Sequence, residues 1–216
     1  MKMKSKNSLK IAAALAFALF IGNSCGNKNE SAPKLLAVYG SKTPTETDTI
    51  YHTIANFSLT NQDGEVVSGK TVTGKIYVAN FFFATCQSIC PEMSGNLSAV
   101  QQEFMNDDSL LILSHSVNPL HDTVAVLKNY AATYGAKSGK WHLLTGNKKM
   151  IYDLAKTSYL VNALEDDGTP EGFLHSELLL LIDGKGRIRG MYDGTDKAAI
   201  QELIAAIHLL KTEKAS

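Results

Sequence analysis

Two side chains stand out for the chemistry they could do: Cys86 and Cys90, in Thr85-Cys86-Gln87-Ser88-Ile89-Cys90-Pro91. Thiols four positions apart lie one above the other if both fall on the first turn of a helix. At ~1.5 Å rise per residue their Cα atoms would then be ~6 Å apart, inside the range a disulfide can bridge. The same two sulfurs could converge on one metal, and thiolates, as soft ligands, favour Cu(I) or zinc over magnesium or calcium. A third reading is a pair of inert core cysteines, since Cys packs as a small hydrophobe. The spacing leaves redox chemistry, soft-metal binding and plain packing all open.

The flanking pattern predicts how the thiols are carried. Lys75 to Ala84 is an apolar, strand-like run, and Met93, Leu97, Val100 and Phe104 follow at helical spacing. Pro91 is tolerable in a first helical turn, where its missing N–H has no intrahelical partner to lose. Upstream, 54–60 and 65–68 read as a hairpin around Asp63-Gly64. Downstream, Leu110 to Val117 reads as a buried parallel strand. A helix capped by Asp122-Thr123 and closed by Gly135 comes next, then a short strand at Trp141–Leu144 and a short helix over 147–156. After an irregular stretch from Leu160 to Gly172, with the acidic loop Glu165-Asp166-Asp167-Gly168, Leu174–Ile182 is the last strongly apolar strand. Arg187–Tyr192 returns as its hairpin partner, and Thr195-Asp196 starts a final helix with Ile200, Leu203, Ile204 and Ile207 on one face. This alternation predicts an α/β fold: a thioredoxin-like mixed sheet flanked by helices, with an N-terminal β-hairpin, spanning 54–212. The thiols then sit where a central strand meets a helix N-terminus, whose partial positive charge favours thiolate.

Residues 1–25 read as an export signal. Lys2, Lys4, Lys6 and Lys10 precede the apolar run Ile11–Ile21, which suits a signal-peptide core and is short for a membrane span. Gly22-Asn23-Ser24-Cys25 resembles a bacterial lipoprotein processing site, with Cys25 the lipidated residue; the alternative is an uncleaved anchor. Either places the domain on the extracytoplasmic, periplasmic side, tethered to a membrane, where an oxidising milieu suits a labile thiol pair. Residues 26–53 are rich in Asn, Lys, Ser and Thr and read as a tether with little fixed structure. The chain of 216 residues carries 21 basic and 21 acidic side chains. Setting aside the four signal-segment lysines leaves 17 basic against 21 acidic, which gives no footprint for nucleic acid.

Other candidates have simpler readings. His115, inside an apolar strand, reads as a satisfied core histidine. Asp122 reads as an N-cap and His121 as exposed, with a secondary metal contact from His121 as its sharper alternative. Met93 could offer a thioether to a metal but falls in the helical core series. His52, His142 and His208 are assigned no role.

With these motifs in place, the stretch from about Asn56 to Leu209 resembles the Sco/SenC family, extracytoplasmic copper proteins of cytochrome c oxidase assembly. The resemblance rests on the strand entering Thr85-Cys86-x-x-x-Cys90-Pro91 and on Ser116-Val117-Asn118-Pro119-x-x-Asp122-Thr123, followed by Trp141-x-Leu-Leu-Thr-Gly146. Leu174-His175-Ser176, before a strand ending Ile182-Asp183-Gly184-Lys185-Gly186-Arg187, completes it. It implies that Cys86, Cys90 and His175 bind one copper ion. Two thiolates and an imidazole suit Cu(I) and can also hold Cu(II). Family members often carry Pro and Asp between the cysteines and an acid before the histidine. Here Gln87-Ser88-Ile89 and Leu174 stand instead, which leaves fewer acids near the thiols. The resemblance implies a metallochaperone that delivers copper to a cuproprotein such as a cytochrome c oxidase subunit. The alternative is a thiol–disulfide oxidoreductase in which Cys86 attacks and Cys90 resolves. Against it stand the CxxxC spacing, where exchange enzymes of this fold use CxxC, and the absence of a proline at the position of Leu174-His175.

Overall fold

A computed structural model describes residues 35–161 and 176–215. The chain divides into Met1–Lys34 and Leu35–Ser216, and the second unit is the one described below. The export segment and Cys25 lie outside the described residues, as does most of the Leu160–Gly172 stretch.

Two short antiparallel hairpins come first, β1 (Lys42–Pro44) with β2 (Thr49–Tyr51) and β3 (Ser58–Thr60) with β4 (Val66–Ser68). One turn of helix, α1 (Gly69–Val72), leads to β5 (Ile76–Phe82). Then follow α2 (Ile89–Glu103), β6 (Leu110–Ser116), α3 (Val124–Tyr134), β7 (Trp141–Leu144) and α4 (Lys148–Asp153). A π-helical turn, Leu154–Ser158, extends α4; β8 (Leu178–Ile182), β9 (Ile188–Asp193) and α5 (Lys197–Ala215) complete the domain. The central sheet has the order β7-β6-β5-β8-β9. Strands β7, β6 and β5 are parallel; β8 pairs antiparallel with β5, and β9 antiparallel with β8. The expected thioredoxin-like mixed sheet is therefore present, with β5 at its centre.

β5 reads as a continuous apolar run because both its faces are covered, and all seven of its residues are buried. Consecutive residues on a strand point to opposite faces. Phe82 meets Tyr130 of α3, at 5.0 Å between ring centroids, on one side. Phe81 meets Tyr159, just past the π turn, at 5.5 Å on the other. Helical segments thus cover both faces. The β3–β4 hairpin closes the β7 edge: Thr60 bridges Thr145, Gln62 Nε2 donates to the Trp141 carbonyl, and Gln62 Oε1 accepts from the Leu143 amide, both at 2.8 Å. A side-chain amide here satisfies edge groups that another strand would otherwise pair.

Two boundaries differ from the sequence reading. The stretch 26–53 was expected to be a tether throughout, yet its second half is folded onto the domain. Tyr39 N donates to the Ile188 carbonyl at 2.9 Å, and the β1–β2 turn is closed by Thr45 and Asp48. The strands β1 and β2 are three residues each and mostly exposed, so they carry no apolar alternation for a reader of sequence to find. Arg189 fastens the residues ahead of them: its guanidinium donates to the carbonyls of Leu36 and Ala37. The second difference is at β8, which begins at Leu178; Leu174 lies outside the described residues.

Candidate metal centre

β5 delivers the chain to Phe83, and a turn closed by the Cys86 amide on the Phe83 carbonyl, 3.1 Å, presents the first thiol. Ser88 occupies the N-cap of α2, and Cys90 is the second helical residue. Only one thiol therefore sits on the helix; Cys86 approaches from the loop, which corrects the picture of two sulfurs stacked on one turn. Pro91 is the third helical residue, where an N–H would be unpaired anyway. Both thiols are buried, Cys86 at 6 % and Cys90 at 4 % exposure.

The electrostatics favour thiolate at Cys86. Burial pushes its pKa up, but hydrogen bonds from the Cys90 thiol, the Ser88 hydroxyl and the amides of both residues outweigh that and hold the thiol below its ordinary value. Ser88 makes no side-chain capping bond to the helix; its hydroxyl lies 3.5 Å from Cys86 Sγ instead. The site thus stabilises negative charge on sulfur with a hydroxyl and helix-terminal amides. Tyr130 walls the other side: its phenol, bonded to Ser94 Oγ at 2.8 Å, is pushed well up by burial, and the nearby Cys90 adds to that.

The loop after β6 lies beside the loop after β5, because the two strands are parallel and in register from Ile76↔Leu110 to Phe82↔Ser116. From it Asp122, fully buried, crosses to the thiol loop: Oδ2 accepts from the Ala84 amide at 3.0 Å and from Ser116 Oγ at 2.5 Å. Oδ1 takes His121 Nδ1 at 2.9 Å. The expected N-cap role belongs to Thr123, whose side chain accepts from Val126 N. Asp122 has turned inward because Ala84 and Ser116 offer it two donors in a dry environment, where an unmet carboxylate is costly. His121 is half-exposed, as expected.

The remaining candidates separate cleanly. Met93 is fully buried, and its Cε crowds Gly194 on the core side, so it serves packing. His115 is in the core, yet it is only half satisfied: Nδ1 faces the Asn80 carbonyl at 3.3 Å, and Nε2 has no hydrogen-bond partner among the described residues. His142 is bonded to Asn61 Nδ2, and burial holds its pKa below the usual range. His208 rests on Phe104, and His52 Nε2 meets the Ser158 carbonyl at 2.7 Å. His175 lies outside the described residues. Among those that are described, no cluster of three His, Cys, Asp or Glu side chains could hold a metal. Ser88, Tyr130 and Asp122 were missed as parts of the site. Ser88 had a signal, a serine just before a helical pattern. Asp122 had only its place in the quoted Ser116-to-Thr123 motif.

Two buried thiols in contact, one already favouring thiolate, fit a soft cation and not a hard one. The comparisons with known proteins agree with that chemistry. The SCO1/SenC family model matches residues 45–211. The SCO1 protein homolog of Bacillus subtilis is 27% identical over 169 residues, covering 77% of this chain and 87% of its own. A SCO1/SenC family lipoprotein from Bacillus anthracis superposes with a TM-score of 0.67 at 28% identity, over 74% of this chain and 95% of that one. Bradyrhizobium japonicum ScoI, solved with copper bound, gives a TM-score of 0.58 at 28% identity, over 73% and 97%. No described helix is long and apolar enough to cross a membrane.

Proposed function

Since this chain belongs to the SCO1/SenC family, we propose that it is a membrane-tethered extracytoplasmic copper chaperone. It takes one copper ion as cargo on Cys86, Cys90 and His175 and hands it to a cuproprotein such as cytochrome c oxidase. The observation that carries this reading is the thiol pair at the β5–α2 junction, with Cys86 held toward thiolate by Cys90 and Ser88. Loading displaces the thiol protons, and the residues that stabilise the Cys86 thiolate lower that cost. Transfer requires an acceptor thiol or imidazole to replace these ligands in turn. His175 is one peptide bond from Ser176, which stands two residues before β8; the start of β8 runs antiparallel beside the end of β5, where the thiol loop begins. A lipid on Cys25 would supply the tether, a reading supported by the signal pattern and by the lipoprotein relative.

The test is an anaerobic copper titration of the reduced protein beside its His175→Ala variant. One copper per chain is expected, with affinity reduced roughly 100-fold in the variant, at or above the effect of losing a supporting residue. Equal affinity in the two proteins would sink the three-ligand site.

The depressed Cys86 thiol also favours a second reading, thiol–disulfide exchange. The Cys86 thiolate attacks a partner disulfide, forming a mixed disulfide and releasing the partner's other sulfur as thiolate. Cys90 then attacks Cys86 Sγ, closing the Cys86–Cys90 disulfide and freeing the reduced partner. This reading predicts metal-free turnover that is insensitive to His175.

A further inference from the structure

We propose that Asp122 is the positioning residue for the thiol pair, a buried carboxylate clamp that fixes the Cys86 loop against the end of β6. The loop from Phe83 to Ser88 has no strand or helix of its own, so its shape depends on what ties it down. One tie is internal, the Cys86 amide to the Phe83 carbonyl. Another comes from Asp122, which accepts the Ala84 amide two residues before Cys86.

The clamp is rigid on its own side. Ser116 Oγ, at the last position of β6, donates to the same Oδ2, and Ser116 Oγ also accepts the Asn118 amide at 3.1 Å. The amides of His121 and Asp122 both return to the Asn118 carbonyl. His121 Nδ1 holds the second carboxylate oxygen; since a carboxylate only accepts, the Nδ1 nitrogen carries the hydrogen. A side chain with no exposure and three donors on two oxygens has one orientation available, and it passes that orientation to Ala84. Freeing Ala84 would let Cys86 drift from Cys90 and Ser88. Both the metal-binding geometry and the readiness of the thiols to pair depend on that approach.

The consequence for copper rests on the proposed function, so the test has a second readout that does not. Asp122→Asn keeps the volume, but an amide must offer its NH2 to one of the donors now satisfied. Two quantities are measured on the full chain: copper affinity with its Cu(II)–thiolate absorption, and the equilibrium of the Cys86–Cys90 dithiol against oxidised glutathione, which yields the protein disulfide and two glutathione thiols. Copper affinity is expected to fall roughly 10- to 100-fold with a displaced absorption band. The disulfide equilibrium constant is expected to fall about tenfold, while the far-ultraviolet dichroism stays native. Unchanged affinity and an unchanged disulfide equilibrium would overturn the proposal. If the unaltered protein fails to bind copper, the proposed function fails, and the glutathione equilibrium alone decides on Asp122. If Asp122→Asn does not fold, Ser116→Ala, which removes one of the donors that fix the Asp122 carboxylate and so loosens its hold on Ala84, decides instead. A smaller shift of the same sign upholds the clamp; no shift overturns it.

Discussion

His115 should make this domain acid-labile. Its ring is fully buried among Phe57, Phe81 and Tyr159, stacked on Phe81 at 5.0 Å. Burial depresses its pKa from 6.5 to about 4, only partly opposed by the Asn80 and Leu113 backbone. A histidine whose folded pKa is depressed is protonated first in the unfolded chain. The stability it permits is fully present above about pH 6.5 and is lost as pH falls toward 4. The drop from 6.5 to about 4, at ~1.4 kcal/mol for each tenfold change in proton affinity, amounts to about 3.5 kcal/mol in full, of which about 3 kcal/mol is lost by pH 4. His115→Phe keeps a ring in the aromatic cage and removes the titration, together with the orphaned Nε2. Urea unfolding followed by dichroism at pH 7, 5.5 and 4 would be compared for the two proteins. The native protein should lose about 3 kcal/mol more than the variant across that range. Every other group, including His142 and the carboxylates, is common to both and cancels. Parallel losses would refute the argument and mean that the ring reaches a proton-stabilising partner in the folded state.

Three further predictions concern the opposite end of the sheet and the backbone. Arg189→Met should cost about 3 kcal/mol in denaturant stability: it strips a 5 %-exposed cation from Asp183 and Glu213, and Arg187 remains to hold Asp183. A cost below about 1 kcal/mol would show the network to be solvent-screened. Gly184→Ala should destabilise by about 1–3 kcal/mol, because its Cβ would stand 2.9 Å from the Gly74 backbone. Gly95→Ala, on the exposed face of α2 with open space around it, should stabilise by about 0.5–1 kcal/mol; a raised calorimetric midpoint for Gly184→Ala, or a lowered one for Gly95→Ala, would contradict the respective prediction.

Much of this arrangement can be read in the sequence because its signals are local. β8 is an unbroken apolar run, and β5 and β6 are apolar but for Asn80 and the Ser114-His115-Ser116 end, because their burial is two-sided. Asp63-Gly64 marks its hairpin because Gly64, at φ 80°, needs the left-handed region. Met93, Leu97 and Val100 reveal α2 because one helical face is wholly buried. What was hidden depends on distance through space. Asp122 sits where a cap is expected, and nothing beside it announces Ala84, 38 positions away. Leu36 and Ala37 are held by Arg189, about 150 positions downstream, and so they look like linker. The π turn at Leu154–Ser158 continues the periodicity of α4 closely enough to pass for it. Cys86 leaves the helix that its spacing suggests because Ser88, between the thiols, starts that helix.

The Arg189 cluster also sets how the domain carries mechanical load. β5 begins beside the Gly74–Gly184 contact and ends at the thiol loop, so Asp183 and Arg189 mark the pole of the sheet remote from Cys86 and Cys90. Residues 36–39 are fastened at that pole: Leu36 N donates to Glu213 Oε1 at 2.6 Å, Arg189 grips the Leu36 and Ala37 carbonyls, and Tyr39 N reaches Ile188. A pull applied through Leu35 is borne in parallel by these bonds and passes into β9 and α5. Tension at Leu35 would therefore reach β9 and α5 before the loops that hold the thiols.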